Sequence, residues 1–191
     1  MKRNTIAGLT IGLLVTSACA ATVDGEPVPA IDISLSLPFT PTIAERVNGR
    51  NDGSPFEPCT AYRPDELATL GIAPHSVADA GFSESPNFRG CNWDSPDRTV
   101  QFSQILADEA SLETYKKKHS YRAWEADRSA RGRTIAVGRH STDNCLAASM
   151  SHDAIVITLV RITTARQPSP GLKDECDKAY AFASLAASKA P

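Results

Sequence analysis

Cysteine is the residue type in this chain whose number and spacing point most directly to chemistry. Four cysteines lie in the body of the sequence, and a fifth, Cys19, follows a charged start and an apolar stretch from Ile6 to Val15. That order is typical of an export signal, and the apolar stretch is well short of the ~20 residues that span a bilayer. An even number of cysteines in an exported chain favours disulfide bonds, because such bonds persist outside the reducing cytoplasm. The sequence therefore predicts two disulfides among Cys59, Cys91, Cys145 and Cys176.

The residues around Cys19 indicate how the chain leaves the cell. The run Val15-Thr16-Ser17-Ala18-Cys19 is similar to the lipobox of bacterial lipoproteins, in which the cysteine is acylated and becomes the new N-terminus. We therefore predict a signal peptide over residues 1–18 and a lipid such as palmitate on Cys19, which holds the protein at the outer face of the cell membrane. Cleavage after Ala20 at an A-x-A-like site is the alternative, and it would release a secreted chain that begins at Ala21.

Four cysteines allow three pairings, and the sequence alone does not choose among them. We favour Cys59 with Cys91 and Cys145 with Cys176, because these pairs close the shortest loops. Each bond would stabilise the fold by about 2–4 kcal/mol through restriction of the unfolded chain. Buried free thiols are the alternative. Zinc binding is disfavoured because no C-x-x-C or Cys/His spacing of zinc type occurs, so neither a metal site nor a cofactor is predicted.

The familiar catalytic and nucleotide-binding motifs are missing from the sequence. There is no G-x-S-x-G, no H-E-x-x-H and no glycine loop that cradles phosphate. The histidines are scattered at positions 75, 119, 140 and 152; His119 is expected at the edge of the core and the other three on the surface. Trp93, two residues from a cysteine, is expected to pack against the disulfide rather than to line a ligand pocket. We therefore predict a protein that is not an enzyme.

The charge of the chain excludes nucleic acid as the expected partner. Removing residues 1–18 removes Lys2 and Arg3 and no acidic residue, so 18 basic and 22 acidic side chains remain, a formal net charge of −4. Residues 116–139 are locally basic, with only Glu125 and Asp127 as acids. This basic stretch is a candidate for binding anionic headgroups or envelope polymers, and the alternative is an ordinary solvated surface. Its cations are Lys116, Lys117, Lys118, Arg122, Arg128, Arg131, Arg133 and Arg139.

The segments that must position these residues follow from turn residues and hydrophobic periodicity. Residues 19–47 contain four prolines and are predicted to form an extended tether, although the alternation over Ile31–Leu37 leaves an added edge strand open. Beyond them, residues 48–191 are predicted to fold as one α+β domain. Its expected helices are 64–71, 111–119 and 172–188, and its expected strands are 90–93, 99–103, 134–138, 145–150 and 154–163.

The strand at 154–163 is apolar on both faces, so we place it centrally in the sheet. Short connections between consecutive strands favour an antiparallel sheet of about five strands with the helices packed on one face. A Cys145–Cys176 bond would then tie a strand to the closing helix.

Five segments carry a resemblance to a known family. They are Asn48–Cys59, the helix with Asp65-Glu66-Leu67, the run Arg89-Gly90-Cys91-Asn92-Trp93, the helix with Ser111–Tyr115, and the late Cys145/Cys176 pair. Together they resemble the actinobacterial lipoproteins grouped as domain of unknown function 3558, over about residues 48–187. The resemblance implies a cell-envelope lipoprotein with a cysteine framework, and it supplies no activity.

These observations predict an extracytoplasmic, lipid-anchored protein that binds an unidentified ligand or protein partner at the outer face of the membrane. Two other functions stay open. An envelope hydrolase or transferase with an unfamiliar site would show a deep pocket with convergent titratable groups. A structural accessory of a membrane complex would show an exposed apolar patch instead.

Overall fold

The computed structural model describes residues 36–81, 86–141, 144–163 and 172–191. The predicted signal peptide, Cys19 and most of the possible strand over 31–37 lie outside the described residues. Within the described ranges, no helix has the length and apolar character needed to cross a membrane.

The described residues form three α-helices and an antiparallel sheet of eight strands. The helices are α1 (Pro64–Thr69), α2 (Leu112–Lys118) and α3 (Leu172–Lys189). The strands are β1 (Ala78–Asp79), β2 (Arg89–Asp94), β3 (Val100–Asp108), β4 (Ala123–Trp124), β5 (Arg128–Ala130), β6 (Arg133–Ser141), β7 (Asn144–Ser151) and β8 (Ala154–Ile162). The sheet order is β1-β2-β3-β8-β7-β6-β4, and β5 pairs separately with β6. The prediction of an antiparallel α+β domain is confirmed.

The predicted number of strands was wrong. The five expected strands correspond to β2, β3, β6, β7 and β8, and β8 lies centrally between β3 and β7 as predicted. The three further strands, β1, β4 and β5, contain only two or three residues each. Alternation cannot be recognised over so few residues, and these strands form only because the long strands present free backbone groups at the sheet edges.

The prediction that the helices pack on one face was also wrong. Val156 and Val160 of β8 join buried clusters on the side that α3 covers, whereas Ile155 and Ile157 join the cluster that contains Tyr115 of α2. Successive side chains of a strand point to opposite faces, so α2 and α3 lie on opposite sides of the sheet. A strand that is apolar on both faces needs cover on both, which explains this arrangement.

Two disulfides hold peripheral segments to the sheet. Cys59 bonds to Cys91 of β2, with 5.5 Å between Cα atoms, and Cys145 of β7 bonds to Cys176 of α3, with 5.0 Å between Cα atoms. The favoured pairing is therefore confirmed, as is the link between a strand and the closing helix. Small residues on the same side of α3, such as Ala179 and Ala183, allow the helix to approach the sheet closely.

Part of the segment predicted as tether lies against the domain. Phe39 packs on the main buried cluster, and the Thr42 amide donates to Asp79 at 2.7 Å. The side chain of Arg46 is buried and forms ion pairs with Glu57 and Asp79. Residues 39–46 therefore contribute to the folded body ahead of residue 48.

The loop over residues 51–57 is held in place by one buried arginine. The guanidinium of Arg89, whose side chain is 3% exposed, donates to the backbone oxygens of Asn51 at 2.9 Å, Ser54 at 2.5 Å and Phe56 at 2.7 Å. It also forms an ion pair with Glu57 at 3.1 Å. Burial lowers the pKa of Arg89, and the Glu57 carboxylate opposes this shift. Arg89 thus links the 89–93 run to the 48–59 segment, the two segments that most specifically carry the family resemblance.

Candidate functional site

A groove opens between α2, the ends of β3 and β8, and the loop that precedes β2, and we refer to it as the α2 groove. Its volume is about 520 Å³, within the roughly 300–1,000 Å³ range of small-molecule sites. The apolar part of its lining consists of Phe88, Ala107, Tyr115, Ile155 and Ile157. The polar part consists of Arg50, Asn87, Asp108, Glu109, Lys118 and His119. A lining of this composition suits a molecule with an apolar body and a polar end.

The position of α2 above the sheet follows from its sequence. Ser111 begins the helix by accepting a hydrogen bond from the Thr114 amide at 3.1 Å, and the lysines of the last turn complement the helix dipole. Leu112 and Tyr115, three residues apart, face the sheet. The groove therefore lies under the C-terminal end of α2, where Lys118 and the capping His119 reach its rim.

Aromatic packing fixes this end of α2. The ring of Tyr115 lies 4.3 Å from that of His119 and 6.2 Å from that of Trp124, measured between ring centres. The indole of Trp124 donates to the backbone oxygen of His119 at 3.1 Å. Trp124 in turn sits on Gly138 of β6, where a Cβ atom would lie 2.7 Å from the indole ring. Only a glycine allows the ring to approach the strand so closely.

Burial shifts the pKa values of two titratable groups of the groove, Tyr115 and His119, toward their neutral forms. Burial raises the pKa of Tyr115 to about 12, so its hydroxyl keeps its proton at neutral pH. Burial, reinforced by the nearby charge of Arg122, lowers the pKa of His119, so its imidazole is neutral at pH 7. The His119 Nδ1 lies 2.9 Å from the Tyr121 hydroxyl.

Both carboxylates of the groove already have partners within the chain. Asp108 accepts a hydrogen bond from the Gly53 amide at 2.8 Å. Both oxygens of Glu109 accept from Lys118 Nζ, at 3.0 and 2.8 Å, and one of them also accepts from the Ala110 amide. These contacts leave the carboxylates poorly placed to act as nucleophile or base.

The predicted basic stretch does not gather into one free cationic surface. Five of its eight cations bind groups of the chain itself. The pairs are Lys116 with Asp127, Lys118 with Glu109, Arg128 with Glu125 and Asp177, Arg139 with Glu125, and Arg133 with the carbonyls of Met150 and Ala190. Arg122 lies over the Tyr121 ring at 5.4 Å, and Lys117 and Arg131 are exposed. Of the eight, Lys118 is the one that lines the α2 groove.

The other residues considered from the sequence are not brought to this groove. Trp93 is 2% exposed and packs in the main buried cluster with Cys91, which confirms its predicted place. His75 lines a separate cavity of about 370 Å³, and His152 lines another of about 540 Å³ beside Ser111. The described histidine side chains therefore do not share a site. Within the described ranges, no group of three or more His, Cys, Asp or Glu residues is arranged to hold a metal ion.

Sequence reasoning missed most of the groove. Tyr115, Lys118 and His119 had been noted for other reasons, whereas Arg50, Asn87 and the end of β3 had not. These residues come from distant parts of the chain. The pairing of β3 with β8 and the hydrogen bond from the Asp108 amide to the Arg50 carbonyl bring them together. No local pattern marks such a set.

Comparison with known proteins gives a family and no activity. The family model described as "Protein of unknown function (DUF3558)" matches residues 14–189. No curated protein and no solved structure matches the chain.

Proposed function

This chain belongs to the DUF3558 family, and we propose that it is a non-enzymatic binding protein of the cell envelope whose ligand occupies the α2 groove. The family resemblance noted in the sequence is confirmed by the match over residues 14–189. The lipid anchor, the envelope location and the actinobacterial source remain predictions.

The α2 groove is the observation that carries this proposal. It offers an apolar floor from β3 and β8, a rim of polar side chains, and a size suited to a small molecule. The cavity of about 540 Å³ beside Ser111 is less suitable, because its arginine, Arg133, is already bound to two backbone carbonyls. The α2 groove therefore combines room with polar groups that are still able to bind a ligand.

The chemistry of the groove supports binding over catalysis. A hydrolase or transferase needs a base or nucleophile aimed at a substrate. Here Asp108 and Glu109 are held by internal hydrogen bonds, and Tyr115 stays protonated at neutral pH. No serine, threonine or cysteine lines the groove among the described residues.

The third possibility, a structural accessory of a membrane complex, predicts a broad exposed apolar patch. Among the described residues the large exposed apolar side chains are Val47, which is 56% exposed, and Tyr121, which is 59% exposed. Isolated exposed apolar residues are ordinary on protein surfaces. This distribution favours a pocket-binding function over patch-mediated assembly.

The anchor is a separate part of the proposal. We expect the mature chain to begin at a lipid-modified Cys19, which would keep the groove close to the membrane surface. Intact mass measurement of protein extracted from membranes should show a diacyl or triacyl addition at Cys19. A released, unmodified chain that begins at Ala21 would contradict the anchor and leave the groove proposal standing.

A groove-filling variant tests the binding function. Ala107 is half-buried and lines the groove, so Ala107→Phe should occupy the space that a ligand needs. The probe is N-phenyl-1-naphthylamine, an uncharged molecule whose fluorescence rises when it leaves water. We expect saturable binding to the unmodified domain and at least about a tenfold loss of affinity in Ala107→Phe.

The matched control is Ala126→Phe, the same change at an exposed position that does not line the groove. It should bind the probe like the unmodified domain. Absence of saturable binding to the folded, unmodified domain would contradict the proposal. Equal binding by both variants would contradict it too.

A further inference from the structure

We infer that the ligand of the α2 groove is an anionic amphiphile, with a carboxylate or phosphate head bound by Arg50 and Lys118 and an apolar chain over the β3–β8 floor. This inference rests on the proposed binding function and names the class of ligand. The inference is based on the hydrogen-bond donors at the rim that are free to bind a ligand.

Each carboxylate and the amide oxygen at the rim already accept at least one hydrogen bond from the chain. Asp108 receives the Gly53 amide, and Glu109 receives Lys118 through both oxygens and the Ala110 amide through one. The amide oxygen of Asn87 accepts from Arg50 Nη1 at 2.9 Å.

The donors at the rim are in surplus. The Arg50 guanidinium has five N–H groups, and among the described residues the bond from Nη1 to Asn87 is the one that engages it. The ammonium of Lys118 has three donors, of which two bind the Glu109 carboxylate and one is left for a ligand. The Tyr115 hydroxyl is protonated and has no hydrogen-bond partner among the described residues. Free donors call for a ligand rich in acceptor oxygens.

The exposed charge at the rim is positive. Two acids and two permanent cations line the groove, so their formal charges cancel. The side chain of Glu109, however, is only 7% exposed, whereas that of its partner Lys118 is 60% exposed. Arg50 is exposed as well. An approaching ligand therefore meets the cations first, which favours an anion.

The two cations are held in place before any ligand arrives. The backbone oxygen of Arg50 accepts from the Asp108 amide at 2.9 Å, and Lys118 is bound by the side chain of the next residue, Glu109. Both cations are thus attached to neighbouring positions at the end of β3. Each side chain also has a hydrogen-bond partner in the chain, Asn87 for Arg50 and Glu109 for Lys118, which reduces the ordering cost of binding an anionic head.

The apolar lining of the groove indicates the chemistry of the rest of the ligand, beyond its charged head. Ala107 of β3 and Phe88, both half-buried, present the open apolar surface of the groove, and Ile155 and Ile157 of β8 line it too but are only 1% and 5% exposed. Apolar surface removed from water there contributes about 25 cal/mol per Å². A purely inorganic anion would leave Ala107 and Phe88 uncovered, so the ligand needs an apolar chain as well as a charged head.

A series of probes with one chain and different heads tests the inference. The probes are dodecanoate, dodecyl phosphate, dodecan-1-ol and dodecylammonium, titrated calorimetrically below their micelle concentrations. We expect the two anions to bind at least about tenfold more tightly than dodecan-1-ol, and dodecylammonium to bind least. The ranking of carboxylate against phosphate then distinguishes a fatty-acid-like ligand from a phospholipid-like one.

Charge-removing variants locate the head group. Arg50→Gln and Lys118→Gln should each weaken dodecanoate binding several-fold, and the double variant at least about tenfold, without loss of affinity for N-phenyl-1-naphthylamine. Lys117→Gln is the matched control, because Lys117 is the neighbouring exposed lysine of α2 and does not line the groove. Its dodecanoate affinity should stay unchanged.

The outcomes separate this inference from the proposed function. Equal binding of dodecan-1-ol and dodecanoate, with uncharged-probe binding intact, would overturn the anionic head and leave the groove as a binding site. Equal losses in Lys117→Gln and Lys118→Gln would overturn it too, because they would indicate general surface attraction. Failure of every probe, charged or not, to bind the folded domain would overturn both.

Discussion

Replacement of Arg89 by methionine tests how the loop beside the α2 groove is held. Methionine has a similar length and suits a buried position, but it cannot donate a hydrogen bond. In Arg89→Met the backbone oxygens of Asn51, Ser54 and Phe56 would lose their donors. Glu57 would keep Arg46 as a partner.

The magnitude follows from those three oxygens. A buried acceptor left without a donor costs about 1–3 kcal/mol, so three of them set a range of roughly 3–9 kcal/mol. Local opening of the loop to water would recover part of this, and we expect a loss of about 3–5 kcal/mol in the free energy of unfolding. Since domains are stable by about 5–15 kcal/mol, such a loss is a large fraction of the total.

Urea unfolding with the disulfides intact measures the effect. For a dependence of about 2 kcal/mol per molar urea, the midpoint should fall by about 1.5–2.5 M. Arg89→Lys keeps the charge beside Glu57 but lacks the planar, five-donor guanidinium. Its urea midpoint should therefore lie between those of the unmodified domain and Arg89→Met. Arg161→Met is the matched control, since Arg161 is exposed on β8 and, within the described ranges, its side chain donates to Gln101.

We expect Arg161→Met to leave the midpoint within about 0.3 M of the unmodified domain. A midpoint in Arg89→Met that is equally unchanged would refute the reasoning. It would mean that the 51–57 loop does not depend on the arginine for its conformation.

Two further predictions concern the covalent link to α3 and the packing under α2. Replacing both Cys145 and Cys176 by alanine should lower the free energy of unfolding by about 2–4 kcal/mol, because the bond closes a loop between positions 31 apart. An unchanged melting temperature would argue against a disulfide between these two cysteines. Gly138→Ala should lower the free energy of unfolding by about 1–3 kcal/mol, because the new Cβ would lie 2.7 Å from the Trp124 ring. Gly49→Ala is the control: its Cβ would meet nothing within 4 Å, so this variant should melt like the unmodified domain. Equal melting temperatures for the two glycine variants would contradict the packing of Trp124 on β6.

The long elements could be predicted from the sequence because each carries a full pattern. The alanine-rich side of α3 and the capped start of α2 are local signals, and the double-sided apolar run of β8 marked it as central. The disulfide pairing followed from the shorter loops, and the structure agrees. These are features in which local preference and tertiary packing point the same way.

The remaining features depended on long-range contacts. The apolar pattern of β8 indicated that both of its faces are buried. It did not indicate that α2 would be the element that packs on the second face. Arg50, Asn87 and Asp108 meet at the groove because the loop that Arg89 holds returns to the end of β3. The basic stretch shows the opposite case. Its cations lie close together in sequence, but the fold pairs most of them internally with acids and backbone carbonyls.

The position of a bound amphiphile tests the central claim most directly. A stearate that carries a nitroxide near the end of its chain broadens the NMR signals of nearby nuclei in the isotope-labelled domain. We expect the broadening to centre on Ala107, Ile155 and Ile157, with little effect at Ser111 and His152 in the neighbouring cavity. Broadening centred on that second cavity, or spread evenly over the surface, would contradict the account.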